Sequence, residues 1–138
     1  MSKVRDLLQN PPRVRDYEIE YEGEKYRFVG KTDAKLIANT IYLSDEEKAK
    51  KAKHYKKIIG DDADFDGDTI GKILLVTETL QAPEGEPRFD ETEIAKLSHV
   101  NGMLFLFMAG AAMVVCGFME DPTSDLAKPN LTAEAISN

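Results

Sequence analysis

The amino-acid sequence predicts a mainly α fold of the α+β class, in which an N-terminal β-hairpin packs on a small helical bundle with a central apolar C-terminal helix. Three observations lead to this prediction. Residues 17–29 alternate between apolar and charged side chains around a glycine. Several later segments carry apolar residues at helical spacing and follow residues that cap helices. The last of these segments, residues 102–119, contains no charged side chain.

The composition indicates one soluble domain. The chain has 138 residues, which suffice for one domain of ordinary size and not for two. Asp and Glu outnumber Lys and Arg by 25 to 18, and the formal net charge is −7. Because this charge repels a phosphate backbone, we expect no nucleic-acid partner. Cys116 is the single cysteine and the N-terminus lacks a secretion signal, so we expect the protein in the cytoplasm.

Both ends of the chain are predicted to be flexible. Residues 1–16 carry Pro11 and Pro12 among alternating basic and acidic side chains, which is typical of a flexible arm. Residues 121–138 are small and polar, as in a loose tail. The single domain is therefore expected over residues 17–120.

The clearest strand signal covers residues 17–29. Apolar side chains alternate with glutamates before Gly23, and aromatic side chains alternate mostly with basic ones after it. A two-residue loop at Glu22 and Gly23 would pair Ile19 with Tyr26, whereas a four-residue loop would shift the partners and keep the same faces. Either register puts aromatic residues on one face and opposite charges on the other. Because an isolated hairpin is marginally stable in water, the aromatic face must pack on the helices.

Helical periodicity follows the hairpin. Ser44 and Asp90 each precede a glutamate by three positions, as in a capping box, and Asp66 or Asp68 can cap a further helix. The helices are expected at about residues 33–43, 45–59, 68–81, 91–98 and 101–119. The second of these contains six lysines and only a narrow apolar stripe. We interpret it as a solvated helix, and the alternative is a basic binding surface.

The loop before the third helix matches half of a calcium-binding motif. Aspartates occupy positions 1, 3 and 5 of the motif, and Gly67 occupies position 6. The second half fails, because Ile73 stands where a bidentate glutamate is needed. We therefore expect this acidic loop to cap the helix and complement its dipole. The alternative is a calcium-responsive binding module whose ligands are Asp62, Asp64, Asp66 and Asp68.

Catalytic motifs are not evident in the sequence. His54 and His99 lie far apart and lack the spaced cysteine or carboxylate partners of a zinc site. No nucleophile stands near a base in a recognisable pattern, and no glycine-rich phosphate loop follows the hairpin. We therefore expect a protein that is not an enzyme and that needs neither a cofactor nor a metal.

The apolar segment 102–119 is the most informative feature for function. A helix that is apolar on all sides must lie at the centre of a fold, against a partner or in a membrane. Its eighteen residues would span about 27 Å, close to the lower limit for crossing a bilayer. No Trp or Tyr flanks the segment and Glu120 follows it, so a membrane anchor is the alternative and not the main hypothesis.

We expect this helix to form the core and to offer part of its surface to a partner. Its side chains include several methionines, which adapt to varied apolar ligands. The predicted partner-binding residues are Met103, Leu106, Phe107, Met113 and Phe118.

A short motif precedes the last two helices. The sequence Gly85-Glu86-Pro87-Arg88-Phe89 leads into an acidic helix start at Asp90, and an apolar helix and a polar tail follow. Together with the N-terminal strand pair, this order of features resembles the tail assembly chaperones of long-tailed, siphovirus-type bacteriophages. The resemblance covers roughly residues 17–120.

The resemblance implies a non-enzymatic role in the cytoplasm of an infected host. Members of this family bind the long helical tape measure protein, keep it soluble and help to recruit tail tube subunits. They self-associate and leave before the virion is complete, so they are not retained in the mature particle. An adaptable apolar surface on an acidic protein suits the masking of an apolar helical client.

Overall fold

The computed structural model describes residues 3–9, 15–30 and 33–118. The predicted fold class is confirmed, because helices dominate and an antiparallel hairpin stands near the N-terminus. The elements are α1 (Lys3–Gln9), β1 (Arg15–Tyr21), β2 (Glu24–Gly30), α2 (Ala34–Ala38), α3 (Asp45–Ile59), α4 (Gly67–Thr79), α5 (Glu91–Val100) and α6 (Gly102–Val115). Part of the expected N-terminal arm is thus the short helix α1, whereas the expected tail at residues 121–138 lies outside the described residues.

The hairpin has the two-residue loop considered from the sequence. Ile19 pairs with Tyr26, and Tyr17 pairs with Phe28. Glu22 and Gly23 both have positive φ, at 51° and 81°, as a tight hairpin turn requires. The Phe28 side chain is fully buried, so the aromatic face of the hairpin is anchored in the core.

Side-chain caps begin four of the described helices, and the caps of α3, α4 and α5 stand at positions expected from the sequence. The backbone N–H of Glu47 donates to Ser44 Oγ over 3.2 Å at the start of α3. Asp90 and Glu93 form a reciprocal capping box at the start of α5. These bonds satisfy helix N–H groups that would otherwise lack acceptors.

The helix after the hairpin is shorter than the stretch 33–43 predicted from periodicity. α2 ends at Ala38, and turns lead from there towards α3. Lys48 Nζ donates to the carbonyl oxygen of Ile41 over 2.9 Å and so ties this segment to α3. Ile41 also lies beside Gly71 of α4, where an added Cβ would come within 3.4 Å of the Ile41 Cα.

The apolar helix is also shorter than predicted. α6 ends at Val115, whereas the sequence indicated a helix as far as residue 119. Gly117 adopts a φ of 82°, and the N–H of Phe118 donates back to the Met113 carbonyl oxygen over 2.8 Å. This pattern is a glycine-dependent helix stop. None of the helices in the described ranges is both long and apolar enough to cross a membrane.

Helices α4 and α6 form the centre of the core. α6 packs against both strands on one side and against α4 and α5 on the other. The side chains of Ile70, Ile73 and Leu75 on α4 are fully buried. The end of β2 approaches the end of α6 so closely that a Cβ on Gly30 would lie 2.2 Å from the Val115 carbonyl oxygen.

The lysine-rich helix α3 is attached to α5 mainly through polar groups. The buried Tyr55 hydroxyl donates to Glu91 Oε1 over 2.7 Å, and Lys51 Nζ donates to the same oxygen over 2.8 Å. Burial raises the pKa of Glu91, but the hydrogen bonds from Lys51 and Tyr55 outweigh this effect and the pKa is lowered overall. Burial, with the nearby Glu91 carboxylate, raises the pKa of Tyr55. Glu91 is therefore held ionised by its two donors.

We expect Gly30→Ala to lower the free energy of unfolding by about 1–3 kcal/mol, because the new methyl group overlaps the backbone of Val115. Urea denaturation measures this change. Gly110→Ala in α6 is the matched control, because a Cβ there would meet no atom within 4 Å. We expect the control to be neutral or slightly stabilising. Equal losses in both variants would contradict the close approach of β2 and α6.

We expect Glu91→Gln to lower the free energy of unfolding by about 1–3 kcal/mol at neutral pH, because the buried Tyr55 hydroxyl and the partly buried Lys51 ammonium lose a charged acceptor. The folded pKa of Glu91 lies below the ordinary value of 4.5. The stabilisation is therefore present above pH 4.5 and is lost as the pH falls through the folded pKa.

Chemical denaturation at several pH values measures this effect. The wild-type protein should lose more stability than Glu91→Gln between about pH 5 and pH 3. Glu46→Gln is the control, because Glu46 is exposed on α3, and its effect should stay within about 0.5 kcal/mol. Parallel pH profiles for wild type and Glu91→Gln would rule out this role of Glu91.

Candidate partner-binding groove

The structure divides the five predicted partner-binding residues into two groups. Met103, Leu106 and Phe107 lie on the surface and are 58%, 55% and 50% exposed. Met113 and Phe118 are partly buried and pack against the core. The structure therefore brings the first three residues together at the N-terminal half of α6, while the other two serve mainly as packing residues.

The opposite side of α6 belongs to the core. Leu104, Phe105 and Met108 are buried there, together with the small side chains of Ala111 and Ala112. α6 therefore has one covered face and one uncovered face, although its sequence is apolar all round. Packing on the neighbouring elements creates this difference.

The uncovered face borders a groove between β1 and α6. The groove has a volume of about 390 Å³. Its walls are mainly apolar, and among its described lining residues Glu20 is the one that carries a charge. We call this feature the β1–α6 groove, and the residues that define it are Tyr17, Ile19, Leu106, Phe107, Gly110 and Val114.

Two residues give the groove its shape. Gly110 leaves the floor open, because a Cβ there would meet no atom within 4 Å. Tyr21 meets Phe107 edge to face, with ring centroids 5.6 Å apart. Such an aromatic contact contributes about 0.5–1.5 kcal/mol beyond burial and fixes the orientation of Phe107. The groove thus has an aromatic wall at Phe107 beside an open floor at Gly110.

Apolar exposure continues past the N-terminus of α6. Val100, the last residue of α5, is exposed and lies close to Met103 in the sequence. A second cavity of about 310 Å³ adjoins Leu106 and is lined in part by Phe65 and Phe105. Leu106 therefore lies between two cavities and is the central residue of the exposed apolar surface.

Sequence reasoning missed the contribution of β1 to this site. Tyr17 and Ile19 were expected to pack on the helices, and both are only partly buried. A two-stranded sheet offers too little surface to cover one whole side of α6. The alternation of side chains in residues 17–21 was the one available signal, and it identifies a face without showing how fully that face is covered.

The acidic loop before α4 acts as a helix cap. The N–H of Thr69 donates to Asp66 Oδ1 over 2.8 Å, and hydrogen bonds from Thr69 lower the pKa of Asp66. Asp68 forms an ion pair with Lys72 over 2.8 Å. Among the described residues, no three His, Cys, Asp or Glu side chains are placed to hold a metal ion. The structure therefore does not assemble the calcium ligands considered from the sequence.

Comparison of the chain with protein-family models, with curated proteins and with solved structures gives no match.

We expect Leu104→Ala and Leu106→Ala to differ strongly in stability, although the two residues are only two positions apart in α6. Leu104 is 7% exposed, and its truncation should cost about 2–5 kcal/mol because it leaves a cavity. Leu106 is 55% exposed, and its truncation should cost less than about 1 kcal/mol. Urea denaturation of both variants checks this difference. Similar losses would mean that Leu106 is a core residue.

Proposed function

We propose that this protein is a non-enzymatic assembly chaperone that binds an apolar helical segment of a client protein in the β1–α6 groove. The observation that carries the proposal is the half-exposure of Met103, Leu106 and Phe107 beside that groove. Contiguous large apolar side chains on the surface of an acidic protein are typical of a protein-binding site. Because the acidic side chains give a net charge of −7, they help to keep such a surface in solution.

The spacing of the exposed residues favours a helical client. Met103, Leu106, Phe107 and Gly110 follow the i, i+3, i+4, i+7 pattern and form one stripe along α6. A second helix with an apolar stripe can pack along this one, with its side chains in the spaces between these residues. Gly110 allows close approach at one end of the stripe.

In this proposal the client is the tape measure protein of a long-tailed bacteriophage, and the chaperone also helps to recruit tail tube subunits. The resemblance in the sequence and the exposed helical stripe both support the assignment. The tape measure protein is long and helical, and it needs a cover for its apolar residues until the tail tube surrounds it. The chaperone would act in the host cytoplasm and be absent from the finished particle.

Co-expression with the tape measure protein encoded nearby tests the proposal. We expect wild-type chaperone to raise the soluble fraction of the tape measure protein and to form a complex with it. Leu106→Glu should abolish most of this effect, because a carboxylate would enter the apolar contact without a partner. The measurement is the soluble fraction of the client together with co-purification.

Ile58→Glu is the matched control. Ile58 lies on α3, outside the groove, and is 57% exposed, nearly the same as Leu106. Introducing a carboxylate there should leave the rescue unchanged. The proposal fails if the wild-type chaperone neither raises the client's solubility nor binds it. If Leu106→Glu and Ile58→Glu reduced the solubility of the client equally, the β1–α6 groove would not be the binding site.

A further inference from the structure

The cavity of about 310 Å³ that adjoins Leu106 has a fixed apolar floor. Phe65 and Phe105 line it, and both side chains are more than nine-tenths buried. The Phe65 ring meets the buried Tyr55 ring edge to face, with ring centroids 5.5 Å apart. We call this feature the Phe65 cavity. Its volume lies at the lower end of the range for ligand pockets, about 300–1,000 Å³, and suits a single long side chain.

The rim of the Phe65 cavity carries a negative charge. Asp64 is the one carboxylate among its described lining residues, and none of these residues is Lys or Arg. His99 also lines the cavity, and its Nε2 lies 3.8 Å from the carboxylate of Asp62. The cavity therefore combines aromatic walls with the carboxylate of Asp64.

Asp64 belongs to the acidic loop before α4. Residues 61–68 contain five aspartates and no basic residue. One of the five caps α4, and another forms an ion pair with Lys72. In the described part of the chain, the side chains of Asp61 and Asp64 form neither a hydrogen bond nor an ion pair within 4.0 Å. The loop therefore keeps a negative potential that attracts a cationic partner.

An arginine side chain has the two properties that such a cavity selects. Its methylene stem lies on apolar surface while its charged head stays at the polar rim. The guanidinium group also stacks on aromatic faces and donates two parallel hydrogen bonds to a carboxylate. An acidic side chain in the same place would be repelled by the loop.

We propose that a helical client packed on the exposed stripe of α6 inserts a basic side chain, at one end of its own apolar face, into the Phe65 cavity and pairs it with Asp64. Leu106 belongs to the stripe and also lines the cavity, so one helix can reach both. This inference rests on the proposed function, because it assumes a helical client. It adds the charge that selects the client segment.

Two synthetic helical peptides test the inference with the full-length protein. Both carry leucines along one face. The first has an arginine at each end of that face, so that either helix direction brings one to the cavity. The second has citrulline, which is uncharged and nearly the same shape, in both places. We expect the arginine peptide to bind the wild-type protein about three- to tenfold more tightly, as measured by isothermal titration calorimetry.

Asp64→Asn should remove most of this preference, because the guanidinium group loses its charged acceptor. Asp61→Asn is the matched control, since it removes the same charge from the same loop at an exposed position that does not line the cavity. The control should keep most of the preference. Circular dichroism should show unchanged folding of Asp64→Asn, because Asp64 is exposed.

Reversal of the charge provides a second test. Asp64→Lys should bind a third peptide, with glutamate in place of arginine, more tightly than it binds the arginine peptide. The wild-type protein should show the opposite order. A direct contact between the two side chains produces this exchange of preference.

Equal affinities of the wild-type protein for the arginine and citrulline peptides would overturn the proposal, and so would failure to bind either peptide. Equal effects of Asp64→Asn and Asp61→Asn would also overturn it, because the loop would then act through its overall charge.

Co-expression with the tape measure protein separates this inference from the proposed function. If the wild-type protein rescues the client and Asp64→Asn rescues it as well as Asp61→Asn does, the chaperone proposal stands and this inference fails. If the wild-type protein does not rescue the client but prefers the arginine peptide, the chaperone proposal fails and charge-selective binding at the Phe65 cavity stands.

Discussion

The packing of α6 between the hairpin and helices α4 and α5 is the contact on which the rest of the structure depends. A two-stranded hairpin is marginal in isolation, and an apolar helix cannot remain uncovered in water. The hairpin and α6 therefore cover each other's apolar faces. The fully buried side chain of Phe28 on β2 anchors the hairpin in the core. The absence of a side chain at Gly30 lets β2 reach the backbone of Val115, so a small residue at this position determines how closely the two elements pack.

The hairpin covers only part of α6, and the uncovered part is the origin of the β1–α6 groove. A third strand beside β1 would extend over Leu106 and Phe107, but β1 forms an edge of the two-stranded sheet. Glutamates on β1 make this edge acidic, which discourages pairing with another acidic strand. The same fold thus exposes an apolar stripe and protects the strand next to it from unspecific association.

The two helices with the most contrasting compositions are held in different ways. α6 is held by apolar packing, whereas the lysine-rich α3 combines packing against α4 with the donation of Tyr55 and Lys51 to Glu91 on α5. The polar attachment lies between α3 and α5, while the exposed apolar stripe lies on α6.

Local chemistry in the sequence determined the hairpin and the starts of the helices. Side chains in a strand alternate with a period of two, so the two faces of the hairpin could be predicted. The sequence allowed a two-residue or a four-residue loop, and the structure has the two-residue loop at Glu22 and Gly23. The caps at Ser44 and Asp90 involve residues three positions apart, and such short-range patterns are visible in any single sequence.

Only the tertiary structure decided which side of α6 is exposed and which carboxylate holds α3. α6 is apolar at every position, so its sequence does not show which of its faces is buried. The packing of β1, α4 and α5 against it determines the buried face. Lys51 bonds to Glu91, forty positions away, rather than to the nearer Glu47. Contacts between residues so distant in the chain depend on how the elements pack, because no local pattern in the sequence records them.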